Sequence, residues 1–163
     1  MAENERDAGQ GGAGAPPDES EQNRAPDLTR VYEGDGIAVR WYAHRCVHSA
    51  ACIVRLPNVF DPRRRPWSDL SRADADAIAR AVEACPTGAL EYDRPGAQEV
   101  PEPTTIVTTV TGGPHLLRGD IVVRDKKGDV VRRATRVALC RCGKSGNMPF
   151  CDNSHRATDR SER

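Results

Sequence analysis

The sequence predicts an α+β protein of two small units behind an N-terminal tail. Three observations carry that reading. Short runs in which apolar and polar residues alternate flank one amphipathic helical stretch. A Pro- and Gly-rich break, Pro95-Gly96 to Pro101-Glu102-Pro103, divides the chain. Finally, 37% hydrophobic and 4% aromatic residues in 163 are a thin supply of core material, and small thin-cored domains need a staple such as disulfides or a metal.

Residues 1–27 are rich in Gly, Ala, Pro and acids, with no aromatic or β-branched residue. Nothing there offsets the entropy of ordering the chain, so a disordered acidic tail is expected. Residues 28–94 form the first unit. Arg30-Val31-Tyr32-Glu33 and Ile37-Ala38-Val39-Arg40-Trp41 alternate around Gly34-Asp35-Gly36, the signature of a hairpin. Ile53, Val54 and Leu56 suggest a short helix stopped before Pro57. Ser71 and Asp74 suit a capping box for a helix over 72–84, with Ile78, Ala81, Val82 and Cys85 on one face and Pro86 ending it. Ala89-Leu90-Glu91-Tyr92 reads as a returning strand. Residues 95–103 have the composition of a linker, and 104–163 form the second unit, with strands predicted at 104–111, 116–124 and 130–139.

Six cysteines fall in two groups. The apolar-poor start of the chain offers no signal peptide or membrane span, so a reducing cytoplasmic location and metal binding are expected rather than disulfides. A net charge of zero gives no argument for nucleic acid or membrane as partner. Cys140, Cys142, Cys151 and His155 lie within sixteen residues, among small and turn-forming side chains. Tetrahedral zinc is the generic reading of three cysteines and a histidine, but zinc motifs commonly place two to four residues between paired cysteines, and here there is one.

The string resembles the CDGSH iron-sulfur domain, C-x-C-x2-S/T-x3-P-x-C-D-G-S/A/T-H. Cys140, Cys142, Ser145, Pro149, Cys151, Asp152, Ser154 and His155 stand in register, and Gly113-Pro114-His115-Leu116-Leu117-Arg118-Gly119 is similar to the segment upstream of that motif. Asn153 replaces the family's glycine, and asparagine best tolerates a left-handed backbone among the other residues. Met148 stands where lysine is frequent. The resemblance implies a [2Fe-2S] cluster with Cys140 and Cys142 on one iron and Cys151 and His155 on the other. An imidazole in place of a thiolate raises the reduction potential and makes the site acid-labile. Ser145 and Asp152 are candidates to hydrogen-bond a ligand sulfur or to orient the loop.

The earlier cysteines, Cys46-Val47-His48-Ser49-Ala50-Ala51-Cys52 and later Cys85-Pro86, are similar to a single-cluster ferredoxin whose second cysteine position holds Ser49. The likeness extends through Val59-Phe60-Asp61 and Arg65-Pro66-Trp67. The residues lean to a [3Fe-4S] cluster on Cys46, Cys52 and Cys85. A [4Fe-4S] cluster needs a fourth ligand, for which His48 or Ser49 is nearest. With three cysteines to each unit and no nucleophile paired with a base, the expected function is not catalysis. It is one-electron transfer between a reductase and an oxidoreductase, with acids in the N-terminal part and arginines around Cys140 offering different docking faces. A redox or pH sensor, a cluster-transfer protein and a zinc-stapled interaction module are the alternatives. CDGSH domains often form homodimers, so a homodimer is a further expectation from the resemblance.

Overall fold

A computed structural model of the chain describes residues 29–158, and the tail expected over 1–27 lies outside the described residues. The first unit opens on the expected hairpin. Strands β1 (Thr29–Gly34) and β2 (Ile37–Tyr42) pair antiparallel, and β3 (Leu90–Asp93) returns antiparallel to β2 to complete a three-stranded sheet. Ile37 and Val39 of β2 and Leu90 of β3 are buried with Ile78, Ala79, Ala81 and Val82 of helix α2 (Ala75–Glu83). Val59, Phe60 and Leu70 complete this core, and the Trp67 ring packs against it between Trp41 and Tyr32, at centroid distances of 5.2 and 6.1 Å. A second short helix, α1 (Ala51–Arg55), stops before Pro57 as expected.

Helix α2 begins later than residue 72. The Asp69 carboxylate accepts from both the N–H and the hydroxyl of Ser71 and from Arg72, so Leu70–Arg72 closes a separate 3-10 turn and Ala73 is extended. The helix then starts afresh behind Asp74, whose Oδ1 accepts the Ala77 N–H at 2.8 Å. Asp74 is the N-cap itself, not the partner of a Ser71 cap; a local side-chain bond won over the longer helix.

The second unit is an antiparallel meander of β4 (Ile106–Thr109), β5 (His115–Arg124) and β6 (Val130–Leu139), close to the three predicted strands. Ile121, Val137 and Phe150 form its small core. Residues 95–103 include no strand or helix, but Glu99 is anchored there by Thr135 and Arg136 of β6. The units meet along β6, through Arg118 of β5, which donates to the Glu83 carbonyl at 2.8 Å, and at a small apolar contact where Val47 packs with Ala138, Cys151 and Leu116. One helical turn, α3 (His155–Thr158), follows the last cysteine.

The Asp74 carboxyl lies below its ordinary value of 3.8, chiefly because the Ala77 N–H donates to it. A group depressed in this way stabilises the fold above its unfolded pKa, and that contribution is lost as pH falls through the folded value. Asp74→Ala is therefore expected to lower the melting temperature at neutral pH. Thermal unfolding followed across pH should show the gap to the wild type closing as the pH drops below the ordinary carboxylate range.

Candidate metal centres

The second centre is built where β6 runs out. The Cys140 N–H donates to the Pro149 carbonyl, and the Cys151 N–H to the Ala138 carbonyl, both at 2.8 Å. This continues the pairing past the strand and holds the chain around Cys140 beside the chain around Cys151. Between them the loop is organised by its own polar groups. The Ser145 hydroxyl donates to the Phe150 carbonyl at 2.6 Å and accepts from the Asn147 N–H. Asp152 accepts from the Gly146 N–H at 2.8 Å and from the Ser154 N–H and hydroxyl. Burial alone would raise the Asp152 pKa, yet the Ser154 donors, the Gly146 N–H and the Ser145 hydroxyl outweigh it and bring the carboxyl down to about 2. Of the two roles expected for Ser145 and Asp152, these contacts match the orienting one.

The bonds to sulfur come instead from the backbone: Lys144 N–H reaches Cys142 Sγ at 3.5 Å and Asn153 N–H reaches Cys151 Sγ at 3.4 Å. Sequence reasoning missed both donors, since main-chain N–H groups leave no mark in the side-chain pattern. Asn153 has φ 77, the left-handed backbone expected of the residue in the glycine position. Burial raises the Cys151 pKa, with Cys140, Asp152 and Cys142 adding to the effect. For Cys140 the upward pull of burial is outweighed by the N–H groups of Ser145, Gly143 and Cys142 together with the Cys142 side chain, and the pKa falls.

The donors form two pairs. Cys140 Sγ and Cys142 Sγ are 3.7 Å apart, and Cys151 Sγ and His155 Nδ1 are 3.6 Å apart. Two thiolates on one tetrahedral metal, with bonds of about 2.3 Å, stand about 3.8 Å apart, and a thiolate and an imidazole on one metal about 3.6 Å. Each pair therefore fits one metal. Among the described residues no three His, Cys, Asp or Glu side chains converge on a single ion. Two metals with two ligands each fit this arrangement.

The first centre lies at the edge of the larger core, to which Cys85 belongs and against which Cys46 and Cys52 pack. Burial pushes the Cys52 thiol up to about 11, with Cys85 and Cys46 adding to the shift. Cys46 is raised mainly by burial, and again Cys85 contributes. With both of these thiols raised, thiolate ligation there must release protons. The intervening loop carries two non-glycine residues at positive φ, His48 at 51 and Ala50 at 61. Of the two fourth-ligand candidates, Ser49 has its Oγ 3.5 Å from the Ala51 N–H at the start of α1, whereas His48 Nδ1 lies 4.0 Å from Cys46 Sγ. The Cys85 sulfur is 3.6 Å from the Thr87 hydroxyl.

Residues 32–95 match the family described as a divergent 4Fe-4S mono-cluster, and residues 112–156 match the iron-binding zinc finger of CDGSH type. Each unit thus matches one of the two families. The chain is an iron-sulfur protein in which the first unit precedes the second, in the order the motifs predict. The match names a four-iron cluster for the first unit and lends no support to the three-iron reading. The chain is also 32% identical over 63 residues to "Uncharacterized protein YjdI" of Escherichia coli strain K12, and equally to the protein of that name from strain O157:H7. Each match covers 39% of this chain and 83% of the relative. Among the described residues no helix is long and apolar enough to cross a membrane.

The Asn153 Oδ1 is buried without a hydrogen-bond partner among the described residues, and its backbone is left-handed. Asn153→Gly removes the orphan and the strain together and is expected to hold the second cluster at least as firmly as the wild type. Asn153→Val should cost about 1–2 kcal/mol. Thermal unfolding and the rate at which visible absorption fades check both.

Proposed function

We propose that the chain carries two clusters and passes electrons singly between a reductase and an oxidoreductase. In this reading Cys140 and Cys142 hold one iron of a [2Fe-2S] cluster and Cys151 and His155 the other. Cys46, Cys52 and Cys85 hold a [4Fe-4S] cluster, with His48 as the fourth ligand. Bound there, the clusters supply one-electron reservoirs. The protein's part is to hold each near the surface: Cys142 is exposed, Cys46, Cys52, Cys140 and His155 are half-buried, and Cys85 and Cys151 are buried. The observation that carries the reading is the pairing of donors at 3.7 and 3.6 Å in the second unit.

Anaerobic iron and sulfide analysis should find about six of each per chain. Electron paramagnetic resonance of the oxidised protein should be silent, whereas a three-iron cluster would give a signal. A colourless protein that contains zinc and no sulfide would falsify the assignment.

Arg141, Lys144 and Arg156 are exposed around the second centre, a basic rim suited to a partner with an acidic face. Such a rim speeds encounter at low ionic strength. The rate of electron exchange with an acidic redox partner is therefore expected to fall as salt rises, and Lys144→Glu should flatten that dependence. A rate indifferent to salt would count against the docking face.

A sensing or cluster-transfer role is the second reading, favoured by the half-buried position of His155 at the start of α3, where protons from solvent can reach the imidazole. Absorption followed between about pH 5 and 8, together with transfer to an apo-acceptor, separates the two. If acid bleaches the cluster, His155→Cys should prevent it.

A further inference from the structure

We propose that Arg136, supplied by the second unit, is a positioning residue for the first cluster: it fixes the Cys85 loop, and the first metal site is complete only with β6 in place. The proposal rests on the reading of Cys85 as a cluster ligand.

Arg136 lies on β6 with its side chain 1% exposed. All five N–H groups of the guanidinium find an acceptor. Nη1 donates to the carbonyls of Val82 and Cys85 at 2.6 and 2.7 Å, and Nη2 to the Leu90 carbonyl at 3.1 Å. Nε and Nη2 bind the two oxygens of Glu99 at 2.7 and 2.6 Å. The carbonyls belong to the last turn of α2, to the ligand cysteine itself, and to the first residue of β3. The Val82 carbonyl also accepts the Cys85 N–H at 2.9 Å, and one cation meets carbonyls on both sides of the Cys85–Gly88 loop.

A second arginine on the same side of β6 holds the middle of that loop. Residues four apart on a strand share a face, and Arg132 donates to the Thr87 and Gly88 carbonyls at 3.2 and 3.4 Å. Thr87 in turn has its hydroxyl 3.6 Å from Cys85 Sγ. Gly88, at φ 65, is required by the same approach: a Cβ there would stand 2.8 Å from both Arg132 Nη2 and the Arg136 carbonyl. The loop is thus shaped to β6 as well as to its own core.

The test uses the full chain loaded with both clusters, comparing wild type with Arg136→Met, Arg136→Lys and Glu99→Gln. Partners standing behind metal ligands are typically worth about 10–100-fold in affinity. In Arg136→Met a chelator should strip the first cluster about 10-fold faster or more, and that cluster's midpoint potential and resonance line shape should shift. The absorption and acid response of the second cluster should remain those of the wild type. Arg136→Lys, which can still reach a carbonyl, should recover part of the loss. Glu99→Gln leaves the three carbonyl bonds in place and should show a smaller change of the same kind, which keeps the test decisive if Arg136→Met does not fold. Wild-type release and potential at the first cluster in Glu99→Gln, or loss of both clusters together in that variant, would overturn the proposal. A wild-type chain with no cluster at Cys85 overturns the underlying assignment instead, and the missing iron reveals it before any variant is made.

Discussion

A buried guanidinium joins the two halves of this chain. Moving a cation out of water costs several kcal/mol, and only a complete set of acceptors offsets that. Arg136 has such a set in three backbone carbonyls from the first unit and the Glu99 carboxylate from the stretch between the units. Removing one member of a buried pair typically costs about 3–5 kcal/mol, because the other charge is left behind. An interface of this kind tolerates little sliding: a shift of β6 by one residue would carry the cation to the opposite face of the strand and leave the carbonyls around Cys85 without their donor.

The same strand places the second centre. Four residues after Arg136 the chain reaches Cys140, whose N–H is still held in register by the Pro149 carbonyl, and Ala138 accepts from Cys151. One element therefore fixes the backbone of ligands in both centres. The apolar contact of Val47 with Ala138 and Cys151 acts in the same sense, because Val47 follows Cys46 in the chain and Cys151 is itself a candidate ligand. The metal loops touch through residues adjacent to, or identical with, their own ligands.

The close pairs of the second centre were legible in the sequence because spacing along a short loop fixes which side chains can meet. One residue between Cys140 and Cys142 and three between Cys151 and His155 bring the donors of each pair to 3.7 and 3.6 Å without help from distant parts of the fold. The hairpin and the three later strands were legible from alternation and glycine turns. The start of α2 was less legible, since Asp69 and Asp74 each cap an element of their own, a 3-10 turn and the helix, where one longer helix reads equally well. Arg132 and Arg136 left no signal. In an alternating strand an arginine reads as a solvent-facing position, and only the tertiary approach of the first unit turns that face into an interior. Glu99 was hidden for the same reason in a stretch whose prolines suggest a tether.

Arginine suits this place for reasons of shape. Its five donors lie in one plane and point outward in fixed directions, so a single side chain can collect carbonyls from a helix end, a loop and a strand and still meet a carboxylate. Lysine would offer three donors on a point charge and could not meet all five acceptors at once. The core of the second unit is small, with Ile121, Val137 and Phe150 at its centre, and apolar burial gives it little with which to grip a neighbour. A polar contact that is costly unless complete is then the sharper way to fix one arrangement of the two metal loops over another.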